Sequence, residues 1–123
     1  MPDTSTTTIP EFVQSAFEAF NAGDPEPMIA LYAGHDVLLI GTDNSYIQEP
    51  AAIAAAFRSE AGHLRADWNL RAQPLGADGQ LLTGRIAFTL PDGTVLHTRA
   101  TYVLRHDGGD WRIAHSHLSL AQT

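Results

Sequence analysis

Histidines at alternate positions, an arginine in the same pattern and an acid just after an apolar run are the side chains here best suited to chemistry. They are densest in Trp111-Arg112-Ile113-Ala114-His115-Ser116-His117-Leu118-Ser119. If this is a strand, Trp111, Ile113, His115, His117 and Ser119 share one face. His97, Arg99 and Thr101 alternate in the same way within Val95–Arg105. Three chemistries fit these residue types. His115 or His117 could move a proton near neutral pH, with Arg99 stabilising a developing enolate or carboxylate. Asp43 or Tyr32 would then orient the imidazole, and the reaction would be isomerisation, dehydration or cyclisation of a carbonyl compound. Alternatively, Arg99, His97 and His117 could hold an acidic head group without turnover. The third option is a metal held by His97, His115 and His117. No acidic fourth ligand accompanies them, so the expectation is no metal and no cofactor.

The bulk properties narrow the partners. The chain has 123 residues, the length of one domain. Its 14 acidic and 7 basic residues leave a net charge of −7, which argues against nucleic acid or an anionic membrane as partner. Cysteine is absent, so disulfides and thiolate metal sites are excluded. No apolar run approaches the ~20 residues of a membrane span, and no secretory signal opens the chain. A cytoplasmic setting is expected.

The elements that must position these residues follow from periodicity. Residues 1–8 lack a pattern and are expected to be a disordered tail, with the single domain running over 9–123. Ile9, Phe12, Val13, Ala16, Phe17 and Phe20 mark an amphipathic helix, with Thr8 as N-cap and Gly23 as C-cap. Asp24 caps a short second helix carrying Met28, Ile29, Leu31 and Tyr32. Val37–Gly41 reads as a strand and Thr42-Asp43-Asn44-Ser45 as a turn. Pro50–Gly62 is a third helix. The period then changes to two, and Asp67–Leu75, Leu81–Leu90, Val95–Arg105 and Trp111–Leu120 read as a four-stranded antiparallel meander. Three helices followed by a meander is an α+β arrangement, a curved sheet closed into a cone by its helices.

Register decides which side chains meet. A two-residue turn at Asp92-Gly93 pairs Leu90 with Val95, Phe88 with His97, Ile86 with Arg99 and Gly84 with Thr101. A three-residue loop at Gly108-Gly109 pairs Thr101 with His115 and Arg99 with His117. The inner wall would then run from Ile86 and Phe88 to His97, Arg99, Thr101, His115, His117 and Ser119. Phe17 would close it from the first helix, with Trp111 in the core against that helix. The first strand could turn either Trp68 and Leu70 or Asn69 and Arg71 inward. The opposite face, with Leu96, Ala100, Tyr102, Leu104, Ala114, Ser116 and Leu118, is too apolar for water. A homodimer through the convex sheet face would cover it. His35, His63 and His106 are expected to be solvated.

One family shares these landmarks. The Phe-rich helix ending in Phe-Asn-Ala-Gly-Asp, the Leu-Leu-Ile-Gly-Thr-Asp segment and the Arg-His-Asp-Gly-Gly-Asp-Trp-Arg-Ile-Ala-His-Ser-His-Leu-Ser ending resemble the SnoaL-like branch of the nuclear-transport-factor-2-like superfamily. The ending is also similar to the association domain of calcium/calmodulin-dependent kinase II. The resemblance spans about Ile9 to Ser119. It implies a cone of curved sheet and three helices, a pocket under the first helix, and dimers through the convex face. It implies no single activity, since cyclases, isomerases, dehydratases, epoxide hydrolases and assembly modules share the fold. The isomerases and cyclases use a pocket aspartate as base, for which Asp43 is the nearest candidate. The pocket arginine of the association domain falls at Thr101, two residues after Arg99. The expected ligand is a small apolar molecule with an acidic or carbonyl head group. A cofactor-free isomerase, lyase or cyclase is the alternative, and a non-catalytic oligomerisation module the second.

Overall fold

The computed structural model describes residues 7–34, 36–43, 45–107 and 109–121. Residues 1–6 of the expected tail, His35, Asn44 of the expected turn and Gly108 lie outside them. In chain order the elements are β1 (Thr7–Thr8), α1 (Glu11–Asn21), α2 (Glu26–Leu31), β2 (Leu38–Ile40), β3 (Tyr46–Ile47), α3 (Pro50–Glu60), β4 (Arg65–Pro74), β5 (Gly79–Thr89), β6 (Val95–Asp107) and β7 (Asp110–Leu120). All belong to the α+β class expected. The sheet is larger than the meander. It has seven strands in the order β1-β4-β5-β6-β7-β2-β3. Thr7 and Thr8, expected in the tail, pair with Ala72 and Arg71. The Val37–Gly41 run joins the opposite edge, with β2 parallel to β7.

Helix α1 forms because its apolar residues recur on one stripe. Val13, Ala16, Phe17 and Phe20 are buried, while Phe12 on the margin is exposed. Each large side chain so buried contributes about 2 kcal/mol. Phe17 stacks on Trp68 of β4 with ring centroids 5.0 Å apart and meets Tyr102 of β6 edge-on at 6.3 Å. Those contacts resolve the open choice on β4: Trp68 and Leu70 face the helices, Asn69 and Arg71 face away. Trp68 thus has the place expected for Trp111, which packs half-buried beside His106. The N-cap of α1 is Pro10 rather than Thr8, without a side-chain cap bond. Gly23, expected as the C-cap, comes one residue after the observed C-cap Ala22, at φ 95°; the N-cap of α2 is Pro25 rather than Asp24, whose carboxylate accepts from the Glu26 N–H. Asn21 clamps the helix end to the sheet. Its amide donates to the Ala66 carbonyl at 2.8 Å and accepts from the Ala66 N–H at 2.7 Å. This satisfies β4 where β1 no longer pairs with it.

The hairpin registers correct the expected face. Pro91-Asp92-Gly93 is a three-residue loop: the Gly93 N–H bonds the Leu90 carbonyl, the Leu90 N–H bonds the Thr94 carbonyl, and Gly93 sits at φ 90°. An odd loop shifts the pairing by one residue. Phe88 therefore faces Leu96, Ile86 faces Thr98 and Gly84 faces Ala100. One step along a strand moves every side chain to the other face. Between β6 and β7 the pairing begins evenly, Asp107 with Asp110. A bulge at Ala114, between the Val103–His115 and Leu104–Ile113 pairs, then changes the phase. Val103, Thr101 and Arg99 consequently face His115, His117 and Ser119. These residues do share a face, as expected, but it is the outer one. The inner face carries Leu96, Thr98, Ala100, Tyr102, Leu104, Ile113, Ser116 and Leu118. The three helices cover it within the chain, so its apolarity is no reason for a dimer.

Candidate functional site

The helices do not fill the space over the concave face. A cavity of about 220 Å³ remains between them and the sheet. Phe17 and Phe20 from α1, Met28 and Tyr32 from the α2 region, and Ala56, Phe57 and Glu60 from α3 form its roof. Phe88, Leu96, Tyr102 and Leu118 form its floor, and the Gly41–Ser45 turn with Leu39 and Ile47 forms one side. The lining is mainly apolar, with polar groups in two places.

The first polar place is deep. The Tyr32 hydroxyl donates to Ser116 Oγ at 3.0 Å, joining the end of α2 to β7. Burial raises the Tyr32 pKa, and the Ser116 bond offsets only part of that effect. Tyr102 is 5% exposed and lines the same cavity. Its hydroxyl has no hydrogen-bond partner among the described residues. Burial, and then the neighbouring Tyr32, raise its pKa. Both phenols therefore keep their protons and can donate.

The second polar place holds two carboxylates. Asp43 accepts bonds from the side chain and the backbone N–H of Ser45, in a tight Asx turn. The Ser45 side-chain bond is the main cause of its lowered pKa. Glu60 ends α3 and is half-buried. Burial first, and the nearby charge of Asp43 second, raise its pKa. Two acids at one site are thus driven apart, one towards the carboxylate and one towards the neutral acid.

Of the residues expected at the site, Phe17, Tyr32, Asp43 and Phe88 line this cavity. Ile86 is fully buried in the core below it, and Trp111 lies outside the lining. His97, Arg99, Thr101, His115 and His117 lie on the outer face, removed from the cavity by the odd Pro91-Asp92-Gly93 loop. His117 lines an open cleft beside Ile40, Tyr46 and Leu120 instead. The His115 and His117 rings stand 6.5 Å apart, edge to face. His97 lies four residues along β6 from Thr101, the partner of His117, or ~13 Å away. No three His, Asp or Glu side chains converge as metal ligands among the described residues.

The sequence reading missed Glu60, Tyr102, Leu96, Phe57 and Ser116. Tyr102 and Ser116 were expected on the far face. Glu60 left one signal. It is an acid in the last turn of a helix, where the macrodipole disfavours negative charge.

With this geometry, likeness to known proteins has something to attach to. The SnoaL-like domain model matches residues 9–123. The chain belongs to this family. No curated protein sequence matches it. Among solved structures, a candidate calcium/calmodulin-dependent kinase II association domain from Xanthomonas campestris superposes with a TM-score of 0.77 at 21% identity, covering 98% of this chain and 97% of that one. A similar candidate association domain from Thiobacillus denitrificans is 28% identical, with a TM-score of 0.73 over 94% of this chain and 97% of that one. A nuclear-transport-factor-2-like protein of unknown function from Pseudomonas putida gives 0.77 at 20% identity, over 92% and 84%. This SnoaL-like chain thus has the cystatin-like, nuclear-transport-factor-2-like roll. No helix among its described residues is long and apolar enough to cross a membrane.

Proposed function

We propose that this SnoaL-like domain binds a small, mostly apolar molecule with one uncharged oxygen function, such as a ketone. The observation that carries this reading is Tyr102, which lines the cavity and whose hydroxyl has no hydrogen-bond partner among the described residues. No buried side-chain oxygen or nitrogen lacks a partner among the described residues, so this hydroxyl keeps its access to the cavity, where it can donate to the acceptor of a bound molecule. A cavity of about 220 Å³ suits a single ring with a few added atoms, since ~150 Å³ takes benzene and drug-sized sites begin near ~300 Å³. Among the described residues the lining contains two acids and no basic side chain. That favours the carbonyl over the acidic head group expected from Arg99.

Acetophenone, ethylbenzene and benzoate separate the possibilities, read by the methyl NMR signals of Leu96 and Leu118. Acetophenone should bind better than either of the others. Tyr102→Phe should weaken it by about 2- to 12-fold, the worth of one neutral hydrogen bond, and leave ethylbenzene unchanged. Benzoate binding more tightly than acetophenone would refute the proposal.

The opposed pKa shifts of Asp43 and Glu60 favour a second reading, cofactor-free acid–base turnover. Asp43 would take a proton α to the carbonyl while a phenol or Glu60 donates to the oxygen. Exchange of the α-protons of cyclohexanone in deuterium oxide tests this. Wild-type protein should accelerate exchange and Asp43→Asn should not.

A further inference from the structure

The cavity has a charged end that a simple ketone leaves unused. Among its described lining residues only Thr42 and Asp43 are exposed, so it opens to solvent beside the Gly41–Ser45 turn. Glu60, half-buried in the last turn of α3, lies near enough to feel the Asp43 charge. Phe57 is three residues before Glu60 and shares its helix face, so ring and carboxylate reach the cavity together. Three features there attract a cation. Neither acid has an ion-pair partner among the described residues. The Ser45 hydroxyl and N–H both donate to Asp43 Oδ1, which leaves Oδ2 to accept from a ligand. The carbonyl end of α3 adds partial negative charge, and Arg58, the basic residue of that last turn, is paired with Glu26 instead.

We infer that the ligand carries, besides its carbonyl, a protonated amine held between Asp43 and Glu60, which makes it an aromatic amino ketone. The ketone end rests on the reading above; the amine end rests on the two acids. A cation deep among Phe17, Phe20 and Met28 would lose its hydration without return. At the mouth it keeps some water and gains two charge-assisted hydrogen bonds. An ammonium has three donors, enough for both carboxylates and a water. It also relieves the repulsion between the acids that helps to raise the Glu60 pKa. A metal ion fits less well, because no third His, Asp or Glu joins this pair among the described residues.

Four para-substituted benzenes separate the two ends: 4-(aminomethyl)acetophenone, 4-ethylacetophenone, 4-ethylbenzylamine and 1,4-diethylbenzene. Their Kd values are read from the Leu96 and Leu118 methyl signals at neutral pH and low salt, where screening is weak. Aminomethyl in place of ethyl should tighten binding about tenfold, with or without the carbonyl, the lower end of what a charged hydrogen bond is worth. Asp43→Asn/Glu60→Gln should abolish that gain. Glu11→Gln/Glu18→Gln, which removes the same charge from exposed positions of α1, should keep it. No gain in wild type, or an undiminished gain in Asp43→Asn/Glu60→Gln, overturns the inference. Nuclear Overhauser contacts in wild type test it without any variant. The aminomethyl protons should reach Phe57 and Ser45, and contacts to Ser116 instead would overturn it. A carbonyl that contributes nothing in either pair of compounds refutes the ketone reading; an intact amine gain beside it still supports the acid pair as an amine site.

Discussion

Tyr32→Phe removes one oxygen and leaves Ser116 Oγ, fully buried on β7, without its donor. Stranding one member of a buried hydrogen bond costs about 1–3 kcal/mol. The cavity beside Tyr32 can admit a water, which places this variant in the lower half, about 1–2 kcal/mol. Ser116→Ala deletes the acceptor instead, and the Tyr32 hydroxyl can turn towards the cavity, for about 1 kcal/mol. The double variant strands neither group. It should therefore be no less stable than the worse single variant, giving a coupling of about 1 kcal/mol. For a domain of this size that corresponds to about 4 °C in Tm. Urea melts followed by the fluorescence of Trp68 and Trp111 give the four stabilities of the cycle. Additive single effects, within about 0.3 kcal/mol, would mean that α2 and β7 are not joined by this bond in solution.

Three further outcomes follow from the same geometry. A Cβ on Gly84 would overlap the Asn69 carbonyl oxygen, at φ 154°. Gly84→Ala should thus cost at least about 3 kcal/mol in a chemical melt, against about 1 kcal/mol for Gly93→Ala, whose Cβ meets nothing. Asn21→Ala strands both backbone groups of Ala66 and should lower stability by about 2 kcal/mol, with faster amide exchange at Ala66. Glu60 holds its proton to higher pH in the folded than in the unfolded chain. Its charge penalty is absent at low pH, grows as pH rises from the ordinary carboxylate range through the folded pKa, and persists above it. Glu60→Gln should stabilise the protein near neutral pH and match wild type in acid; a stability difference that does not change with pH would contradict the assignment.

The stretches with many agreeing signals were legible from the sequence. The α1 stripe has four buried apolar positions in phase, and Gly23 and Asp24 mark the break between the first helix and the second by local chemistry alone. Parity has no such redundancy. Pro91-Asp92-Gly93 can serve a two-residue or a three-residue connection, and the choice exchanges Tyr102 with Thr101 and Leu96 with His97 at the cavity. Both faces of β6 alternate cleanly, so hydrophobicity alone did not choose between them. The buried face proved to be the one with Leu96, Thr98, Ala100, Tyr102 and Leu104. Its threonine is satisfied locally: the Thr98 hydroxyl donates to the Ile86 carbonyl. The parallel pairing of β2 with β7 depends on residues more than seventy positions apart. Nothing near Leu38–Ile40 announces it.

The alternation along β6 also bears on how such a protein can change over generations. Leu96 and Tyr102 shape the cavity, while His97, Arg99 and Thr101, interleaved with them, shape the exterior. Neighbours in the gene are therefore strangers in function. A substitution at an odd position can retune what the surface meets, and one at an even position can retune what the interior accommodates. Two specificities can drift independently along a single strand of thirteen residues.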